Sequence, residues 1–102
     1  MTFSELSNFT KQVIRLLDDE SYTELQLALF HRPELGRVIR GSGGLRKVRW
    51  AAKGRGKRGG VRVIYYWFVA DELIAFCRIY PKNEKENLTA GEIKSINDEL
   101  EK

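Results

Sequence analysis

The stretch VRVIYYWFVA, Val61–Ala70, is apolar at nearly every position and rich in β-branched and aromatic side chains. A strand reads this way when both of its faces are covered, so this segment belongs at the centre of a sheet. Its neighbours are also strand-like. LRKVRW, Leu45–Trp50, alternates, with Val48 and Trp50 on one face and Lys47 and Arg49 on the other. LIAFCRIY, Leu73–Tyr80, follows a tight turn at Asp71-Glu72 and is stopped by Pro81.

Helices supply the cover. Phe9, Val13, Leu16 and Leu17 recur at helical spacing and predict a helix over Leu6–Leu17. Ser21 and Glu24 match a capping box that opens a second helix, with Tyr22, Leu25, Ala28 and Leu29 on one stripe and Pro33 and Gly36 closing it. Thr89 and Glu92 match another, opening a C-terminal helix that carries Ile93, Ile96 and Leu100. The N-terminal TFSEL is a short strand or an extended lead-in. The order predicts an α+β fold: an antiparallel sheet of three to four strands, two N-terminal helices on one face, and a C-terminal helix. At 102 residues the chain is expected to form a single domain, 1–102.

Strict alternation sorts the sheet into two faces. Lys47 and Arg49, then Arg62, Ile64 and Tyr66, then Arg78, Tyr80 and Lys82 share one side. Val48, Trp50, Val63, Tyr65, Trp67, Ala75, Cys77 and Ile79 share the other, more apolar side, where the two N-terminal helices should pack.

The net charge of +4 hides a lopsided distribution. Leu35 to Ala70 holds ten Lys/Arg and no Asp/Glu, whereas the rest of the chain has eight bases against fourteen acids. Eight of the nine glycines fall between Gly36 and Gly60. A basic centre flanked by acids implies a polyanionic partner, and nucleic acid is the first candidate. The Ala51–Gly60 connector, AAKGRGKRGG, is the densest part of this band.

Several chemistries are excluded. One histidine, His31, and one cysteine, Cys77, make neither a histidine-pair ribonuclease nor a zinc site. His31 reads as a surface residue at a helix C-terminus. No cluster of carboxylates lies near the basic band in sequence, against a two-metal nuclease. Gly54–Gly59 spells G-x-G-x-x-G, but a strand follows it rather than a helix, so the nucleotide-binding context is missing. No apolar stretch is long enough for a membrane span or signal peptide, and a lone cysteine in an apolar run fits a buried thiol in a reducing compartment. A cytoplasmic location is expected.

Cations, tyrosines and an amide-rich loop remain, and these suit RNA. Arginine gives phosphates charge-assisted, often bidentate hydrogen bonds, and glycine lets backbone N–H groups approach them. Tyr66, Tyr80 or Trp50 can stack an unpaired base, although aromatics on buried strands more often serve as core.

The run HRPELGRVIRGSGGLRKVRW, followed by KGRGKRGGVRVIYYW and IYPKNEKENLT, resembles the HigB-type branch of the RelE/ParE toxins of type II toxin–antitoxin systems. The resemblance spans nearly the whole chain. It implies a microbial-ribonuclease-like fold, cleavage of mRNA in the A site of the translating ribosome, and neutralisation by an antitoxin encoded beside the toxin. It calls for no cofactor, metal or membrane. Relatives flank an apolar residue of the first long strand with bases, here Lys47 and Arg49 around Val48, and place an arginine just inside the next strand, here Arg62. Where a basic pair often follows the third strand, this chain has Lys82 and then Asn83. A tyrosine that some relatives carry near the last helix is missing from Asn87-Leu88-Thr89.

The expected chemistry is attack of an RNA 2′-OH on the adjacent phosphate. Arg62, Lys57, Lys82 and Arg49 are the catalytic candidates, with Arg62 on the transition-state phosphate and Lys57 or Lys82 moving protons. Arg46, Lys47, Lys53, Arg55, Arg58 and Tyr66 are the candidate RNA contacts. Two other readings fit the same residues: a ParE-like inhibitor of DNA gyrase, and a non-catalytic RNA- or ribosome-binding module.

Overall fold

The computed structural model describes residues 1–51 and 60–102. The elements are β1 (Thr2–Glu5), α1 (Ser7–Leu16), α2 (Asp19–His31), β2 (Arg37–Val38), β3 (Arg46–Trp50), β4 (Val61–Phe68), β5 (Leu73–Pro81) and α3 (Ala90–Leu100). They form one five-stranded sheet in the order β1-β5-β4-β3-β2. The central position predicted for Val61–Ala70 therefore holds, and Val61 to Tyr65 are all buried.

Two differences enlarge the sheet beyond the expected strands. TFSEL is a strand, and it pairs parallel to β5, so the sheet is mixed rather than a pure antiparallel meander. Arg37–Val38 forms a two-residue edge strand against β3. It is too short for any periodicity to announce it.

The α1–α2 pair covers one face. Phe9, Val13, Leu16, Leu25 and Leu29 pack with Val48, Val63, Tyr65, Phe76 and Ile79. Phe9 stacks on Phe76 with ring centroids 5.0 Å apart. α2 begins earlier than the Ser21 capping box predicts: Asp18 is the N-cap and its carboxylate accepts the Ser21 N–H at 2.6 Å. The anionic cap placed one turn upstream wins, and Ser21 is buried in the helix instead.

α3 lies on the opposite face, where Ile96 joins Leu45, Ile64, Cys77 and Tyr80. The cation-bearing face is thus covered over much of its area. Polar contacts fix the C-terminal half of the helix: Asn97 donates to the Ser42 carbonyl at 2.9 Å, Lys102 to that of Gly43 at 2.6 Å, and Arg78 pairs with Glu99 at 2.6 Å. The Thr89 capping box forms as predicted.

A register shift corrects the face assignment on β5. Ile64 faces Arg78 but Tyr65 faces Phe76, which leaves Cys77 as the extra residue of a bulge. Phe76 and Ile79 therefore both reach the α1–α2 side, and Cys77 goes to the α3 side. Ala75 lies opposite Tyr66 and leaves the face expected for it. Burial pushes the Cys77 thiol up to about 12.

Tyr65 ties the helix pair to the sheet. Its hydroxyl donates to the Pro33 carbonyl at 2.7 Å and accepts the Gly36 N–H at 2.8 Å. A Cβ at Gly36 would fall 2.8 Å from the Tyr65 ring, so glycine is required here by close approach. Tyr65→Phe strips a buried carbonyl and a buried N–H of their shared partner. We expect it to lower stability by about 1–3 kcal/mol, read as a lower urea midpoint with an unchanged slope.

Glu92 makes the α3 cap sensitive to pH. The Lys85 ammonium and the Thr89 N–H hold its carboxyl below the usual carboxylate range. Depression of a folded-state pKa adds stability above the unfolded value, near 4.5, and that stability is lost as pH falls through the lower folded value. Amide-exchange protection factors across α3 should fall below this window. Glu92→Gln should flatten the pH dependence.

Candidate functional site

The strand register, rather than any loop, assembles the cations. Arg49 lies across from Arg62, and Lys47 lies across from Ile64. Arg37 lies across from Lys47 on the other side of β3. Arg62 in turn faces Tyr80 on β5. Residues paired in this way share a face, so Arg37, Lys47, Arg49 and Arg62 project to the α3 side. Two of these cross-strand pairs, Arg37/Lys47 and Arg49/Arg62, set like charges directly opposite each other, an arrangement that destabilises a sheet.

Arg62 is the unusual member. Its side chain is 2% exposed, yet its ion pair is with a Glu86 carboxylate that is 64% exposed, at 3.4 Å. Its Nε is buried and has no hydrogen-bond acceptor among the described residues. A guanidinium taken out of water needs most of its five donors satisfied, and one long contact to a solvated acid is thin compensation. That leaves guanidinium donors available to an anionic ligand.

Lys47 is half-buried. Its ammonium donates to the Glu86 carbonyl and to the Asn87 side-chain oxygen, each at 3.2 Å. Both acceptors are neutral, so the lysine holds the chain entering α3 without losing its charge to an acid in these bonds. Arg49 is exposed. Lys82 is exposed as well, and its backbone N–H donates to the Gly60 carbonyl at 3.0 Å, which places it at the end of β5 beside the start of β4.

A cleft of about 960 Å³ opens between β2, β3 and the entry to α3, with Arg37, Arg40, Lys47 and Arg49 on its walls and Leu35 and Leu88 among its apolar lining. Arg37 and Arg40 are functional candidates that sequence reasoning left among the general basic band. Only the short β2 turns them toward Lys47. Glu86 was missed too. It stands 24 residues from Arg62 in sequence, and no pattern of spacing joins the two.

Three expected contacts go elsewhere. Arg46 points to the other face, where its guanidinium donates to the carbonyls of Gly36 at 2.8 Å and Glu34 at 3.3 Å. Tyr66 sits beneath the end of α3, with the Lys102 ammonium 4.0 Å from its ring centre. Trp50 donates to the Ser21 carbonyl at 2.9 Å and packs on the helix-side core. Tyr80 is next to Arg62 but buried, and burial raises its phenol pKa. The aromatics are thus core rather than stacking platforms. Lys53, Arg55, Lys57 and Arg58 lie outside the described residues. Among the described residues no three His, Cys, Asp or Glu side chains converge as metal ligands, and no helix is long and apolar enough to cross a membrane.

A small mixed sheet with helices on both faces thus carries a cationic register at one end. The model of the RelE toxin of RelE/RelB toxin–antitoxin systems matches residues 35–100, and the chain belongs to that family. The backbone is similar to that of Escherichia coli toxin RelE, solved in the free state as a double arginine-to-alanine mutant. The TM-score is 0.60 at 15% identity, over 97% of this chain and 95% of that one, so the two share the fold. The protein is accordingly the toxin half of a toxin–antitoxin pair, with a cognate antitoxin as partner, in a family whose toxins are ribonucleases.

A binding cation that the fold itself cannot satisfy weakens the fold. Replacing Arg62 by Met, similar in length and apolar, should raise stability by roughly 1–4 kcal/mol while removing toxicity. Denaturant unfolding beside a growth assay checks both halves. An Arg62→Met protein less stable than wild type would mean that the guanidinium holds the fold together.

Proposed function

We propose that this toxin is a ribosome-dependent mRNA endoribonuclease of the HigB type. It arrests translation in the cytoplasm as a single domain and cuts without a metal. The observation that carries this reading is Arg62: a buried guanidinium, short of partners, in register with Arg49 and beside Lys47. The RNA 2′-OH attacks the adjacent phosphate, leaving a 2′,3′-cyclic phosphate and a 5′-OH end. Arg62 stabilises the charge that builds on the phosphorane, where a desolvated donor is worth far more than one in water. Lys47 and Arg49 position the backbone, and Lys82 handles a proton at the edge of the site. Lys57 is assigned to proton transfer as well, and Lys53, Arg55 and Arg58 supply outer electrostatic contacts. The antitoxin encoded beside the toxin silences it.

The ribosome requirement is part of the same reading. The cations bind and stabilise the phosphate, and the ribosome presents the mRNA to them in an ordered geometry, so free RNA should be cut slowly if at all.

Primer extension on mRNA from expressing cells tests the reading. Cuts at codons are expected, and Arg62→Ala should remove them and the growth arrest, with a loss of about 10²-fold or more in cleavage and an intact fold. DNA damage without mRNA cuts would point instead to a gyrase poison. Neither effect would point to a non-catalytic binder.

A further inference from the structure

Glu86 is the acid that the fold delivers to the cation cluster. It lies in the segment between β5 and α3, and its carboxylate stands 3.4 Å from the Arg62 guanidinium. The described residues lining the neighbouring cleft include four cations and no acid. The position of Glu86 is also fixed from below. The single Lys47 ammonium binds the Glu86 carbonyl and the Asn87 side chain, so the backbone is pinned on both sides of the residue's carbonyl. The side chain itself is 64% exposed and stands between the buried arginine and solvent.

We infer that Glu86 is the general base of the cleavage, an assignment that rests on the ribonuclease reading above. Three requirements meet at this residue. A base must be unprotonated at neutral pH; a carboxylate is, whereas a lysine must first lose its proton. It must stand within reach of the group that binds the phosphate, and here the two are in contact. It must also be able to turn from that group to the ribose. The 3.4 Å contact is long for a charge-assisted bond, and the exposed side chain has room to rotate. When Arg62 takes the scissile phosphate, the ribose carrying that phosphate places its 2′-hydroxyl beside the carboxylate. Glu86 accepts the hydroxyl proton as the 2′-oxygen forms its bond to phosphorus. The bond from phosphorus to the 5′-oxygen breaks, and that oxygen leaves with a proton from the Lys82 ammonium or from water. Glu86 then returns its proton to solvent. This fills the role for which the chain has no histidine and no tyrosine at Asn87-Leu88-Thr89.

Among the described residues, the groups facing Glu86 include Lys47 from β3, Arg62 from β4 and Tyr80 from β5.

The test is single-turnover cleavage of mRNA on programmed ribosomes across pH 5–8, with ribosome affinity measured in parallel. Wild-type cleavage should show an acidic limb. Glu86→Gln should cut about 10²- to 10⁴-fold more slowly, without that limb and with affinity unchanged. Glu86→Asp should recover part of the rate. A Glu86→Gln protein that cuts at the wild-type rate overturns the assignment, as does a loss wholly in affinity. A faster Glu86→Gln protein also overturns it, by showing that the carboxylate only competes with phosphate for Arg62. Absence of cleavage by the wild-type protein is a different result: it overturns the ribonuclease reading itself.

Discussion

Burial of β4 on both faces is the constraint from which the rest of the structure follows. Val61 to Tyr65 form a continuous buried run, so the chain must bring helices to each side and strands to each edge. α1 and α2 answer one face through Val63 and Tyr65, and α3 answers the other through Ile64. A strand so enclosed is the stiffest element available, and a side chain placed on it inherits that stiffness. Arg62 is on that strand. Its guanidinium is therefore held where position is fixed best and where desolvation strengthens electrostatics most.

The face under α3 divides by function along its length. Toward one end, Ile96, the Tyr66 ring and the contacts of Asn97 and Lys102 close the sheet. Toward the other, α3 begins and its entry segment carries polar groups, so Lys47 meets Glu86 and Asn87, and Arg62 meets Glu86. The Thr89 capping box fixes where this change occurs. A helix started one turn earlier would extend over the site, and one started later would leave Ile64 exposed.

Much of this was legible in the sequence because the relevant signals were local. The apolar run at Val61, the alternation around Val48 and the Thr89–Glu92 box each state a local structure, and all three appear. The pairing of Lys47, Arg49 and Arg62 on one face followed from period two alone. What failed depended on contacts between distant segments. The bulge at Cys77 leaves no compositional mark, so alternation misassigned Ala75 and Cys77. β2 is two residues long, and without it Arg37 had no direction. Charge and ring type do not reveal that Arg46 donates to the Gly36 carbonyl or that the Lys102 ammonium lies over the Tyr66 ring. Glu86 was invisible for the same reason: its importance is a distance to Arg62, not a spacing.

The site breaks rules that the rest of the sheet obeys. On the α1–α2 face, cross-strand neighbours such as Val48 and Val63 are apolar and mutually supportive. On the other face, Arg37 opposes Lys47, and Arg49 opposes Arg62. Each like-charge pair costs of the order of a few tenths to 1 kcal/mol, and the buried guanidinium costs more. Local conflict of this kind persists where a partner resolves it. A phosphate chain is such a partner, because its charges repeat along a line and can serve both pairs at once, where a single bound anion would serve only one. The repulsion built into β2, β3 and β4 is therefore better relieved by an extended polyanion than by a small one, with Arg62 the most deeply buried of its cations.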